Sequence, residues 1–150
     1  AIAYERAASF SAPVMAEQYI VGVEYTVAIL GDRALPSIRI DVPGEFYYFD
    51  AKYLSDDTRF TCPSDLSDTD EAALAKIALT AFEAVGGEVW GRVDVILNAA
   101  GQWQLLEVNT IPGMTSHSLV PLSAKVAGLS LIDLLAEIYQ HSMEARDAEQ

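Results

Sequence analysis

Four polar residues interrupt two otherwise apolar stretches: Arg92 and Asp94 within residues 89–98, Glu107 and Asn109 within residues 102–109. Both stretches alternate as strands do, and the Asn98-Ala99-Ala100-Gly101 run between them has the composition of a hairpin turn. Because side chains alternate across a strand, Arg92 and Asp94 share one face of the first strand, and Glu107 and Asn109 share one face of the second. A two-residue loop (99–100) sets Arg92 opposite Glu107, and a four-residue loop (99–102) keeps the same face; only an odd loop length separates the two sets. Two carboxylates and an amide oxygen on a common face are hard oxygen donors suited to Mg²⁺ carrying phosphate. The plainer alternative is an open sheet face in water, with Arg92 and Glu107 forming an exposed cross-strand pair.

The segment that follows, residues 109–121 (NTIPGMTSHSLVP), delivers a glycine-containing loop and several hydroxyls onto the start of a helix. Free N–H groups and the helix dipole make such a terminus receptive to anions. Ordinary N-capping by Ser116 or Ser118 accounts for the same residues. The chain holds only two histidines, His117 and His141, which excludes a histidine-rich metal site and leaves His117 a structural residue rather than a general base. Lys52 and Tyr53 sit in a polar stretch without periodicity, residues 50–68, either as surface residues or as a cation and a phenol that fold over a substrate.

These groups need a scaffold. Residues 1–10 look like the tail of a helix. Residues 13–20 are apolar and compatible with a strand, Gly22 punctuates, and residues 24–30 alternate with β-branched side chains before Gly31-Asp32. Residues 35–42 predict a third strand with Pro36 near its start, and residues 45–50 a fourth. Ser67 or Asp68 caps a helix in which Leu74, Ile77, Ala78, Ala81, Phe82 and Val85 recur on one face, ending at Gly86-Gly87. A short helix covers residues 119–127, with Pro121 in its first turn and Gly128 beyond its end. Ser130 and Asp133 form a capping box for a last helix to about Met143, apolar at Ile132, Leu135, Ala136 and Tyr139, with residues 144–150 as a frayed tail. The class expected is α+β, an antiparallel sheet backed by helices.

At 150 residues, 51% of them apolar, the chain can bury a single-domain core. Its net charge of −13 argues against nucleic acid or an anionic membrane as a partner. No apolar run approaches the length of a membrane span and no secretory signal is visible, so a soluble, cytoplasmic protein is expected. Cys62 is alone, which excludes an intramolecular disulfide or a cysteine-based zinc site and suits inert packing.

Residues 107–121 (EVNTIPGMTSHSLVP), with residues 91–94 (GRVD) before them and residues 51–53 (AKY) further upstream, resemble the carboxy-terminal part of the D-alanine-D-alanine ligase family of ATP-grasp enzymes. Residues 17–31 (EQYIVGVEYTVAILG) are similar to that family's adenine-binding stretch, so the likeness covers nearly the whole chain. The resemblance implies the larger lobe of an ATP-grasp domain, with the first-substrate domain and the glycine-rich phosphate loop lying upstream and absent here. It implies ATP- and Mg²⁺-dependent joining of two D-alanines through an acyl phosphate, for peptidoglycan synthesis, by a full-length protein of which this chain alone is inactive. Asp94, Glu107 and Asn109 would hold two Mg²⁺ (or Mn²⁺) ions, and Arg92 would stabilise charge on the transferred phosphoryl group. The Gly113 N–H would join Arg92 in binding the oxyanion. Ser118 and the Leu119 N–H would grip the carboxylate of the second D-alanine, with Lys52 as a further cation and Tyr53 over the substrates. Glu17 and the backbone near Tyr19 and Ile20 would meet adenine, and Glu24 the ribose. A D-alanine-D-lactate ligase, another carboxylate-amine ligase of the superfamily, or a non-catalytic nucleotide- and metal-binding module are the alternatives. Homodimers are the family habit, and oligomeric state stays open.

Overall fold

The computed structural model describes residues 2–10, 12–41 and 58–148. Its elements in order are α1 (Ile2–Ala8), β1 (Gly22–Leu30), β2 (Arg33–Ala34), β3 (Ile38–Asp41), β4 (Arg59–Thr61), α2 (Asp68–Ala84), β5 (Trp90–Asn98), β6 (Trp103–Asn109), α3 (Leu119–Val126) and α4 (Leu131–Ala148). The strands form one antiparallel sheet in the order β4-β3-β1-β5-β6, with β2 paired to β1. The expected α+β architecture of a sheet backed by helices is what the chain forms.

Strand alternation divides the core in two. Tyr25, Val27 and Ile29 of β1 with Val93 and Val95 of β5 face one side, where Leu74, Ala78, Ala81 and Phe82 of α2 cover them. On the opposite side Ala28 and Leu30 meet Val120 and Ala124 of α3 and Leu134 of α4. The second cover reaches one end of the sheet only. Beyond it, on the same face, lie Thr26 and its cross-strand partner Asp94, then Glu24 opposite Ile96. That end of the face carries the candidate site.

The helix boundaries follow their caps. Ser67 accepts the Asp70 N–H at 3.2 Å to open α2. Ser130 and Asp133 bond reciprocally, Ser130 N–H to the carboxylate at 2.9 Å and Asp133 N–H to Oγ at 3.2 Å, to open α4. Of the expected α2 face, Leu74, Ala78, Ala81 and Phe82 are buried, whereas Val85 is 59% exposed past the last turn.

Several expectations are corrected. Residues 13–20 form no strand, and Met15 and Tyr19 stay exposed. Gly22 marks no turn but opens β1 opposite Asn98, where a Cβ would stand 2.3 Å from the Leu97 carbonyl oxygen. Residues 35–37 precede β3 instead of belonging to it, and the Pro36 carbonyl accepts the Ser123 hydroxyl of α3 at 2.6 Å. A strand lies inside the stretch expected to be all loop: β4 pairs with β3 through Ile40 opposite Phe60. The expected strand over 45–50 lies outside the described residues. On α4 the buried anchor is Leu134, backed by Ile138, while Ile132 (79%) and Tyr139 (68%) face outward, and the helix runs past Met143.

Candidate functional site

The β5–β6 hairpin reaches the expected pairing by an unexpected route. Gly101 N–H bonds the Asn98 carbonyl at 2.9 Å, and Gly101 takes φ 72°, a left-handed conformation that closes a three-residue loop. Near that loop Leu97 pairs with Trp103, Ile96 with Gln104 and Val95 with Leu105. This odd loop by itself would put Asp94 and Glu107 on opposite faces. A bulge at Leu106 then inserts one extra residue, so that Asp94 stands opposite Glu107 and Arg92 opposite Asn109. The four polar residues therefore share a face because two irregularities cancel.

Arg92 organises the group. Its Nε donates to Asp94 Oδ1 at 2.8 Å and its Nη2 to Asp94 Oδ2 at 2.7 Å, while the same Nη2 lies 3.8 Å from Glu107 Oε1. Thr26 Oγ1 donates to Asp94 Oδ1 at 2.5 Å from β1. Asp94 is 3% and Thr26 1% exposed, while the Glu107 side chain keeps 54% of its surface. Burial opposes the charge on Asp94, but the Arg92 guanidinium and the Thr26 hydroxyl more than offset that cost and hold the carboxyl below the ordinary aspartate range. Asn109 Oδ1 accepts the Ile111 N–H at 3.1 Å, and a carbonyl oxygen has a second lone pair for another partner. Among the described residues no three His, Cys, Asp or Glu side chains cluster as a metal site. Two carboxylates converging on one nitrogen beside an amide oxygen are nonetheless a donor set that fits a hard divalent cation.

A cavity of about 360 Å³ opens beside this group, lined by Glu17, Gln18, Ile20, Glu24, Asp94, Leu105, Leu106 and Glu107. The segment before β1 thus reaches the site without being a strand. Tyr19 lies outside the cavity lining, 61% exposed. The sequence reading missed Thr26, Gln18 and the two leucines. Leu105 and Leu106 are 53% and 43% exposed on an end strand of the described sheet, and two adjacent apolar residues directly before Glu107 are the signal the sequence offered for them. Thr26 carried no such signal, since a threonine in a strand is ordinary.

At the start of α3, Ser118 holds the N-cap position in backbone geometry, yet its side chain makes no capping bond. The third helical residue is Pro121, which has no N–H to offer. The Ser118 hydroxyl turns back into the loop, accepting the Thr115 N–H at 3.0 Å and meeting Thr115 Oγ1 at 2.9 Å. Gly113 lies against it: a Cβ there would stand 2.9 Å from Ser118 Oγ. Leu119 begins the helix directly after. Gly113, Ser118 and Leu119 thus form one group, the loop-to-helix junction. His117 is exposed in the same loop. Lys52 and Tyr53 lie outside the described residues. Burial and the nearby Glu71 charge push the Cys62 thiol up to about 11, which keeps it protonated and unreactive at neutral pH.

Residues 1–140 match the model of the family described as D-ala D-ala ligase C-terminus. A D-alanine--D-alanine ligase of Idiomarina loihiensis is 52% identical over 96% of this chain and 47% of its own length. One of Alcanivorax borkumensis is 54% identical over 92% of this chain and 45% of its own. Among solved structures, the D-alanine--D-alanine ligase of Bacillus anthracis complexed with ATP superposes with a TM-score of 0.76 at 35% identity, covering 89% of this chain and 44% of that one. The chain spans about half the length of the curated relatives it matches. Sequence, fold and the matched span agree: this chain belongs to the D-alanine-D-alanine ligase family and corresponds to its carboxy-terminal part.

Proposed function

We propose that the chain supplies the nucleotide, metal and oxyanion side of an ATP-dependent D-alanine-D-alanine ligase. The single observation that carries this is the convergence of Asp94 and Glu107 on Arg92 at the rim of a cavity walled by Glu17, Ile20, Glu24 and two leucines. Family membership supports the substrate assignment, since the relatives are named for joining D-alanine and one neighbour is an ATP complex. Asp94, Glu107 and Asn109 would hold Mg²⁺ or Mn²⁺, and the bound ions would supply neutralisation of the phosphate charge. Glu24 and Glu17 would meet ribose and adenine over the leucine surface.

The chain's other residues then have definite tasks. A carboxylate is a poor acyl donor, so it is first phosphorylated; the amine of the second D-alanine displaces phosphate from the acyl phosphate. Arg92 would offset the charge on the transferred phosphoryl group, and Gly113 N–H would bind the oxyanion of the tetrahedral intermediate. Ser118 Oγ and Leu119 N–H would orient the second amino acid by its carboxylate. Lys52 and Tyr53 would complete the site from the stretch upstream. We place the reaction in the cytoplasm, where ATP is available.

The test is a chimaera. Residues 1–140 of this chain replace the corresponding half of the Idiomarina loihiensis ligase, and the hybrid is assayed for phosphate release and dipeptide formation with D-alanine. D-alanyl-D-alanine synthesis that is lost in Asp94→Asn and Glu107→Gln supports the proposal. A folded hybrid that binds ATP yet releases no phosphate with D-alanine contradicts it.

A further inference from the structure

We propose that Arg92 is the resident counter-ion of the Asp94 and Glu107 pair, and that a divalent cation enters by displacing its guanidinium, which is thereby released to meet an anionic ligand. The inference rests on the metal-site reading above and concerns what the site does before its ligands arrive. Asp94 and Glu107 stand directly opposite each other on neighbouring strands, and like charges in that relation repel. Asp94 is almost wholly buried, so its charge needs a partner inside the fold. Arg92 supplies it, closing Nε and Nη2 on both Asp94 oxygens and bringing Nη2 to 3.8 Å from Glu107.

A Mg²⁺ ion would sit about 2.0 to 2.1 Å from its oxygens. The guanidinium occupies the approach to Asp94 Oδ2, and two cations cannot share that oxygen closely without strong repulsion. The arginine therefore has to swing off as the ion binds. Its side chain keeps 15% of its surface exposed, and both carboxylates that it faces line the cavity, so a rotation of the stem carries the charge toward the cavity without moving the strand. A phosphate arriving with the ion gives the displaced guanidinium a new partner. Cation and phosphate binding are thereby coupled through one side chain: the metal alone competes with Arg92, and the metal with phosphate does not.

The test is a Mn²⁺ titration of this chain followed by electron paramagnetic resonance, with and without a non-hydrolysable ATP analogue, in the unaltered chain, Arg92→Met and Arg92→Lys. The methionine keeps stem volume without charge. Met at 92 is expected to tighten Mn²⁺ binding at least tenfold without nucleotide, and the analogue is expected to tighten it far more in the unaltered chain than in the Met variant. Arg92→Lys, which keeps the charge but loses the two-nitrogen grip, should tighten Mn²⁺ in smaller degree, and it carries the test if the Met variant does not fold. Equal or weaker Mn²⁺ binding in these variants overturns the counter-ion role while leaving the metal site standing. Mn²⁺ binding that Asp94→Asn does not weaken removes the metal site itself, and the counter-ion role with it.

Discussion

Thr26 on β1 and Asp94 on β5 share a hydrogen bond of 2.5 Å in which both partners are buried. Asp94 is thus held from the side by Thr26 and along its own strand by Arg92. Thr26→Val keeps the shape and removes the donor. It is expected to cost about 1.5 to 3 kcal/mol of folding stability, the usual loss for a hydrogen bond to a charged group. Thr26→Ser should recover most of that loss. Urea denaturation of the three proteins checks this, and equal losses in the Val and Ser variants would assign the effect to packing.

Acid should expose the same carboxylate. Folding lowers the pKa of Asp94, so the stability it contributes is complete above the unfolded-state value of about 3.9 and is lost as pH falls through the lower folded value. Denaturation midpoints followed downward from neutral pH should therefore fall steeply below about pH 4. In Asp94→Asn the starting stability is lower and the acid fall shallower. Parallel curves for the two proteins would show that Asp94 does not govern this limb.

Much of this architecture was legible in the sequence where local chemistry decides it. Ser67 and the Ser130–Asp133 box open their helices as read, because an N-cap needs nothing beyond the next turn. The hairpin was legible as two strands and a turn, but not its mechanism: the left-handed Gly101 gives an odd loop, and the bulge at Leu106 restores the shared face that an even loop had been expected to provide. Bulges depend on cross-strand pairing and leave little local trace. Residues 13–20 had strand composition yet form no strand, because composition alone does not decide pairing. On α4 the choice of Leu134 over Ile132 depends on what the sheet offers, since apolar residues stand on more than one side of that helix. Thr26 became visible as a site residue only when register set it beside Asp94.

Ser67 and Ser118 both occupy N-cap positions, and only Ser67 uses its hydroxyl to cap. Ser67→Ala is expected to cost about 1 kcal/mol of stability. In the chimaeric enzyme Ser118→Ala is expected to raise KM for the second D-alanine by a factor corresponding to about 1.5 to 3 kcal/mol, with KM for ATP little changed. Substrate titrations at saturating partner concentrations separate the two. Equal rises in both constants would mean that the loop had collapsed around Thr115 and Gly113.

The central claim, that this chain carries the nucleotide and metal side of a ligase, is tested most directly by calorimetric titration of ATP into the chain with and without Mg²⁺. With a net charge of −13 and open carboxylates at the cavity, ATP alone should be repelled. Weak binding is expected that appears only with Mg²⁺ and disappears in Asp94→Asn. ATP binding of equal strength without Mg²⁺, or binding indifferent to Asp94→Asn, would contradict it.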